Sequence, residues 1–217
     1  MARAKNGLYG PLSGMVGNLV FYELNGQQVV RVKGVVPSKP SGGRMKEVQG
    51  DFSTVMKVVQ AVSHFARVGF YDLAEGRMAF QKALSVNLLR YRAAEDKELL
   101  RWLLVSEGQR AGAEDLMAGF TDDDSLAMSW GTAMPNMEWS DDDLAMLMAI
   151  NARSLETSIN LTTFRRHHHS AILKLPPLQP GDILQCFLSF HSPLDPDSSI
   201  SLGNISKSQR FELIFPI

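Results

Sequence analysis

Two short runs of apolar and β-branched residues stand near the start of the chain, at positions 19–22 (LVFY) and 29–32 (VVRV). Such residues fit the pleated, half-buried surface of a strand. The connection between the runs contains Asn25-Gly26, a pair typical of two-residue hairpin turns because both residues tolerate a positive φ. The pattern therefore predicts a β-hairpin that turns at Asn25-Gly26.

The second arm of this hairpin has two unlike faces. Side chains alternate across a strand, so Val30 and Val32 share one face, whereas Val29, Arg31 and Lys33 share the other. One face is predicted to pack, and the other is predicted to meet water or a polyanion. We expect the ribbon to be a contact surface that uses Tyr22, Asn25, Gly26, Arg31 and Lys33.

Glycines recur every three or four residues before the hairpin, at Gly7, Gly10, Gly14 and Gly17. The two glycine-rich motifs that typically bind nucleotide phosphates are the G-x-x-x-x-G-K-[ST] loop and a glycine-rich turn that follows a strand and opens a helix. The segment matches neither pattern. We interpret it as a turn-rich arm rather than a nucleotide site.

The apolar period changes after a linker at 35–44 that is rich in Pro, Ser and Gly. Over 45–70 apolar residues recur at steps of three and four, which predicts an amphipathic helix. A second helix is predicted over 77–91. The break at 69–76 between them favours a short antiparallel helix pair.

Strand-like periods return after residue 92. Short apolar or alternating runs are separated by clusters of Gly, Pro, Asp and Ser, which is typical of an antiparallel β-sandwich of immunoglobulin or fibronectin type III character. The paired cysteines of antibody domains are missing, because Cys186 is the only cysteine. The predicted strands lie at 99–105, 126–130, 144–150, 170–175, 182–190 and 211–215.

The predicted fold class is therefore α+β. An N-terminal β-hairpin and helical pair, residues 1–93, precede a C-terminal immunoglobulin/fibronectin-III-like antiparallel β-sandwich, residues 94–217. Cys186 is expected to be a buried small hydrophobe within an apolar run. No stretch approaches the roughly 20 apolar residues of a membrane span, and no apolar leader opens the chain, so the expected location is the cytoplasm.

The charge of the chain is unevenly distributed. The net charge is −1 over 217 residues, yet residues 1–50 hold seven Lys or Arg against two acids, a balance of +5 that leaves −6 for the rest. Such asymmetry favours contact of a basic arm with a polyanion or with an acidic surface of the same or a neighbouring subunit. Nucleic acid is disfavoured because the cations are dilute and lack interleaved aromatic residues.

A histidine string, His167 to His169, is the most suggestive feature for metal binding. In an extended segment His167 and His169 project on one face, and His191 is a candidate third ligand. The preceding Arg165 and Arg166 place positive charge beside the proposed cation. We therefore favour a polar edge strand or loop over a metal site, and we expect no cofactor.

Two acidic triplets, at 122–124 and 141–143, lack the spaced D-x-D-x-D-G pattern of a calcium loop. We interpret them as solvated loops whose carboxylates cap turns. Trp139 lies in a predicted loop and is a candidate for a sugar- or peptide-binding face. No nucleophile elbow or cysteine signature is present, and nothing in the pattern indicates an enzyme.

The N-terminal residues also form a distinctive string: ARAKNG at 2–7, GP at 10–11, SG at 13–14, VG at 16–17, then Val20, Tyr22, Gly26 and VVR at 29–31. This string resembles the signature of an uncharacterised, domain-of-unknown-function family of Bacteroidota proteins of about this length. Asp141-Asp142 and the LKLP at 173–176 are similar to the family's C-terminal sandwich pattern, whereas the histidine string departs from it. The resemblance implies a shared fold and carries no known activity.

Two functions are therefore expected. The first is a non-enzymatic structural or protein-interaction protein whose basic β-ribbon mediates assembly with a protein partner or with itself. The alternative is a β-sandwich module that binds a carbohydrate or another ligand through Trp139 and the segment from His167 to His169.

Overall fold

Residues 3–4, 10–24, 26–35, 42–73, 79–122, 124–193 and 204–216 are described by the computed structural model. Within these residues the chain forms three antiparallel β-sheets and three α-helices, a mixed α+β fold. The chain divides into two compact units, residues 1–45 and residues 46–217.

The N-terminal unit is a four-stranded sheet. The hairpin arms are confirmed as β3 and β4, whereas the strand β2 within the glycine-rich arm was not predicted. Gly17 and Gly26 adopt positive φ values of 54° and 78° in the turns that join these strands, and glycine does so without steric cost. The strands, in sheet order, are β1 (Arg3–Ala4), β2 (Leu12–Val16), β3 (Leu19–Leu24) and β4 (Gln27–Val32).

The helices are α1 (Gly43–Ala61), α2 (Ser63–Gly69) and α3 (Ala79–Ala93). The single helix predicted over 45–70 is thus two helices. Val62 separates them with φ −98° and ψ 15°, outside the helical region. Because Val62 and Phe65 are both buried, the bend keeps the chain against the core.

The second unit contains two sheets. A three-stranded sheet has the order β5-β6-β9, and a four-stranded sheet has the order β11-β10-β7-β8. The strands are β5 (Met117–Asp122), β6 (Ser125–Ser129), β7 (Leu144–Asn151), β8 (Thr157–Arg165), β9 (Ser170–Lys174), β10 (Ile183–His191) and β11 (Gln209–Ile214).

Strands β7 and β10 are buried on both faces. One face packs on the three-stranded sheet and forms a sandwich core with Leu126, Met128 and Trp130. The other face packs against the helices. The sandwich-facing side chains are Ala145, Leu147, Ala149, Leu184, Cys186, Leu188 and Phe190, and those facing the helices are Met146, Met148, Ile150 and Phe187.

This arrangement explains why the compact units differ from the predicted domains. The boundary was expected near residue 93, with the helices grouped with the ribbon. Instead the second unit begins at residue 46, and the apolar faces of the helices pack on the four-stranded sheet. Periodicity identified the buried stripe of each helix but not the surface that covers it.

The segment 99–105, predicted to be a strand, is irregular and buried against the helices. Leu100 has a positive φ of 55°, which interrupts an extended conformation. The side chain of Asn87 on α3 replaces a neighbouring strand: its Oδ1 accepts the Leu104 N–H at 2.8 Å, and its Nδ2 donates to the Leu104 carbonyl at 2.8 Å. An apolar run can therefore be buried without joining a sheet.

The other five predicted strands of the sandwich are confirmed as β6, β7, β9, β10 and β11. The strands β5 and β8 were missed. Both lie at sheet edges, where polar and small residues weaken the apolar pattern: β5 contains Gly119, and β8 contains Asn160, Thr162 and Thr163. Edge position is a tertiary property.

Cys186 is buried in the sandwich core, as predicted, and burial raises the pKa of its thiol to about 12. Such a thiol stays protonated and packs as a small apolar side chain. Among the described residues, no helix is both long enough and apolar enough to cross a membrane.

Replacing Phe187 with Ala is expected to lower the free energy of unfolding by about 3–5 kcal/mol, because the cavity opens between the sheet and the helices. Urea denaturation followed by far-UV circular dichroism measures this change. Leu89→Ala, at an exposed position of α3, is the control and should change the free energy by less than about 0.5 kcal/mol. A loss below about 1 kcal/mol for Phe187→Ala would contradict two-sided burial.

Candidate interaction surface

One face of the N-terminal sheet carries a group of neighbouring apolar side chains, with Glu23 and Gln28 at one end. The register pairs Leu19 with Val32, Phe21 with Val30 and Val16 with Leu19, and paired residues point to the same side. Val16 is 58% exposed, Leu19 42%, Val30 49% and Val32 68%. We call this surface, made of Leu12, Val16, Leu19, Phe21, Val30 and Val32, the apolar face.

The opposite face is mixed. Tyr22 lies opposite Val29, and Val20 lies opposite Arg31, whose side chain is exposed. The sequence predicted these two faces correctly but assigned packing to the face of Val30 and Val32. In the chain as described, Val30 and Val32 are exposed instead.

The side chain of Gln28 ties three strands together. Its Oε1 accepts the Leu12 N–H at 2.9 Å, and its Nε2 donates to the Leu12 carbonyl at 2.9 Å and to the Tyr22 carbonyl at 3.2 Å. A side-chain amide that satisfies a neighbouring backbone stiffens a small sheet that has little core of its own.

Strand β4 is an edge of this sheet. The Lys33 N–H donates to the Asn18 carbonyl at 2.6 Å, so the backbone of Lys33 points towards β3. Because inward and outward residues alternate in an antiparallel ladder, the backbone groups of Gln28, Val30 and Val32 face the free edge. The edge can accept a further strand.

The predicted contact residues are thus distributed as follows. Tyr22 is half-buried on the mixed face, Arg31 is exposed on the same face, and Lys33 is exposed directly after β4. Gly26 lies in the turn, and Asn25 lies outside the described residues. The structure brings Tyr22 and Arg31 together on one small sheet.

The histidine string is not extended, so the premise of the proposed metal pair is wrong. Residues Arg166–His168 form a 3₁₀ turn, and His169 follows with a left-handed φ of 51°. Nδ1 of His167 lies 2.9 Å from the Asp141 carbonyl oxygen, and Nδ1 of His169 lies 3.2 Å from the Trp130 carbonyl oxygen. The turn forms because its backbone pairs with the loop before β7.

His191, the third candidate ligand, is buried at the end of β10, and its Nδ1 lies 2.8 Å from the Ser192 carbonyl oxygen. Across the described ranges, no group of three or more His, Cys, Asp or Glu side chains is placed to hold a metal ion. The three histidines therefore make separate hydrogen bonds to the backbone.

Trp139 is 49% exposed in the loop before β7. This loop lies against the histidine turn, because the His167 N–H donates to the Asp141 carbonyl at 3.2 Å and Arg165 Nη1 donates to the Asp142 carbonyl at 2.9 Å. The structure thus brings together two features that are 28 positions apart in the sequence. Both lie at the same end of the sandwich.

The acidic triplets are only partly solvated. Asp122, Asp124, Asp141 and Asp142 are exposed, as predicted, and Asp123 lies outside the described residues. Asp143 is fully buried, so its interpretation as a solvated residue is wrong. It does cap a turn, since its Oδ2 accepts the Ser140 N–H at 3.1 Å.

Asp143 is buried because two guanidinium groups neutralise it. Arg166 Nε lies 3.3 Å from Asp143 Oδ2, and Arg110 Nη2 lies 2.5 Å from Asp143 Oδ1. Arg166 also donates to the carbonyls of Ala111 and Gly112, at 2.6 Å and 3.0 Å. The Arg166 guanidinium lies 3.7 Å from the centroid of the Phe190 ring.

Burial lowers the pKa of Arg166, and the Asp143 carboxylate acts in the opposite direction. An arginine stays charged through such a shift at neutral pH. We call Arg110, Asp143 and Arg166 the buried ion cluster. The local pattern did not indicate this cluster, since Arg166 stands in a string of polar residues that is typical of a surface loop. The buried ion cluster therefore has a structural role, because it links the segments that carry Arg110, Asp143 and Arg166.

These features define a mixed α+β protein in which a sheet with an exposed apolar face precedes a β-sandwich covered by helices. The chain belongs to a family of unknown function, DUF6266, whose model matches residues 11–202. This match confirms that the chain belongs to an uncharacterised family of about this length, and it covers the part of the N-terminal string from Pro11 onwards. No curated protein matches the chain.

A solved structure that matches part of the chain is the solution structure of the fn3 domain of human contactin 1. It covers 51% of this chain and 83% of its own, at 13% sequence identity and a TM-score of 0.30.

Replacing Asp143 with Asn is expected to destabilise the fold by about 3–5 kcal/mol, because two buried guanidinium groups lose their counter-charge. Urea denaturation at neutral pH measures the loss. The matched control is Asp142→Asn in the same loop, where the side chain is exposed and the expected change is below about 1 kcal/mol. Equal effects of the two variants would show that the cluster does not stabilise the sandwich.

Proposed function

We propose that this protein is a non-enzymatic interaction protein whose N-terminal sheet mediates assembly by docking on a second copy of the chain. The observation that carries the proposal is the exposed apolar face. Burial of apolar surface contributes roughly 25 cal/mol per Å², and monomeric proteins seldom leave a contiguous apolar patch open unless a partner covers it.

The distribution of charge supports a second copy as the partner. Residues 1–50 carry a net charge of +5 and the remaining residues carry −6. Opposite charges draw the N-terminal sheet of one copy towards the second unit of another, and they oppose contact between two N-terminal sheets. The partner surface is therefore acidic and belongs to residues 46–217.

The sandwich is proposed to be of the immunoglobulin and fibronectin III class. In immunoglobulin-type domains the first, second and fifth strands share one sheet, and the third, sixth and seventh share the other. If β5 is counted as the first strand, the first, second and fifth strands of this sandwich (β5, β6 and β9) share one sheet. The third, sixth and seventh (β7, β10 and β11) share the other, with β8 at its edge beside β7. Domains of this class serve many unrelated functions, so the strand order supports an interaction role without specifying it.

Val30→Asp combined with Val32→Asp is expected to abolish self-association, because docking would bury two carboxylates without partners. Sedimentation velocity over a range of protein concentrations measures the association. The matched control is Ser13→Asp with Gln27→Asp, which adds the same charge to exposed positions on the opposite face. Far-UV circular dichroism confirms that both variants fold.

Two results would contradict the proposal. One is a wild-type protein that stays monomeric at every concentration. The other is an equal loss of association in both double variants, which would indicate a general charge effect rather than docking through the apolar face.

A second candidate function is ligand binding at the end of the sandwich. The observation that favours it is the contact between the turn of His167 and Asp141, which lies in the same loop as the exposed Trp139. Aromatic side chains that present one face to water bind the apolar side of a sugar ring or a peptide side chain.

Binding to an array of glycans tests this second candidate. The wild type is expected to bind at least one saccharide, and Trp139→Ala should weaken that binding about tenfold or more, as expected for an aromatic anchor. Ile172→Ala, which removes an exposed apolar side chain from β9, is the control and should bind as the wild type does. An array without any bound glycan would count against the carbohydrate function.

A further inference from the structure

We propose that β4 of one copy adds as an extra strand to β5 of a second copy, at the edge of its three-stranded sheet. This inference rests on the proposed function and specifies the surface that receives the N-terminal sheet. It follows from the free edges of both strands and from the charges beside them.

Strand β4 is suited to strand addition. Its pairing with β3 runs in continuous register from Gln27 to Val32, without a bulge. Its free edge presents the backbone groups of Gln28, Val30 and Val32, and no proline interrupts it. Edge strands of this kind pair with other chains unless bulges, charges or covering segments prevent it.

Several other edges of the described sheets are blocked or short. Strand β1 has two residues, and β8 contains an irregular register between Ala145 and Leu147 of its neighbour. The start of β11 is covered, because the Gln209 side chain bonds to both the N–H and the carbonyl of Ala113. Lys174 places a cation on β9, which would repel a basic strand.

Strand β5 differs from these edges. It is the outer strand of the order β5-β6-β9, and Met117 on it is 67% exposed. Its register with β6 is regular from Met117 to Phe120 before an irregularity ahead of Asp122. Residues 114–124 contain five acids and no Lys or Arg. Within the described residues no strand pairs with the outer edge of β5, and the flanking sequence is acidic.

The charges on the two strands complement each other. Arg31 and Lys33 are exposed, and within the described residues neither forms an ion pair. Glu114 and Asp124 flank β5, are exposed, and likewise form no ion pair with a described cation. Strand addition would bring these groups within range of mutual attraction.

Strand addition also increases the area of the proposed interface. Strands about 4.8 Å apart with a rise of about 3.3 Å per residue give the apolar face a planar area of roughly 300 Å². A stable interface buries about 800 Å² on each partner, so the apolar face alone is too small. The backbone pairs and flanking charges of a β4–β5 contact enlarge it.

Reciprocal charge reversal tests the contact in the full-length chain. The donor variant combines Arg31→Glu with Lys33→Glu, and the acceptor variant combines Glu114→Lys with Asp124→Lys. One reversed acid lies at each end of β5, so the test holds for either direction of the added strand. Sedimentation velocity measures the Kd of each variant alone and of an equimolar mixture.

Each variant alone is expected to associate about tenfold or more weakly than the wild type, because like charges would meet at the contact. In the mixture, reversed donors meet reversed acceptors and unchanged donors meet unchanged acceptors, so association should return to within about threefold of the wild type. Homodimers of N-terminal sheets would show no such rescue.

The inference is overturned if the acceptor variant associates as the wild type does, or if the mixture remains monomeric. Either result leaves the proposed function intact, provided that Val30→Asp with Val32→Asp still abolishes association. A wild-type protein that never associates would overturn both the inference and the proposed function.

Discussion

The two-sided burial of β7 and β10 is the constraint on which the second unit depends. A strand without a solvent face must be covered on both sides, so the three-stranded sheet packs on one side and the helices pack on the other. The apolar residues of the helices share one core with sheet side chains such as Met148 and Phe187, so the helices pack on the sheet as well as on one another. The charged residues Asp143 and Arg166 lie at the ends of β7 and β8, whereas β10 buries the uncharged polar side chains of Gln185 and Ser189.

The buried ion cluster shows how one such end is closed. Asp143 immediately precedes β7, and Arg166 immediately follows β8, so the two residues meet where paired strands end. Arg110 reaches the same carboxylate from the loop before β5. Three charges in a dry site stabilise only when their hydrogen bonds are satisfied, and the carbonyls of Ala111 and Gly112 provide partners for Arg166. The cluster thus joins loops that a sandwich alone would leave apart.

The N-terminal sheet presents the opposite situation. It has the alternation of a packed sheet, yet its apolar face is exposed and its small size leaves little core of its own. Exposed apolar faces of this kind often serve as interaction surfaces, and the proposed partner surface is acidic because the charge of the chain is asymmetric. The contrast between the buried strands of the second unit and the exposed face of the N-terminal sheet is the main physical support for the proposed assembly function.

Local periodicity sufficed to identify most elements. The hairpin arms β3 and β4, the amphipathic helices and five sandwich strands follow from side-chain spacing, because spacing reflects which faces are buried. Spacing cannot name the burying partner. The segment 99–105 therefore resembled a strand, although it is buried by Asn87 and the helices. Arg166 resembled a surface residue, although it is paired with Asp143, which lies 23 positions earlier in the chain. The sequence thus determined the faces of each element, whereas long-range packing decided which faces were covered, which charges were buried and which edge stayed free.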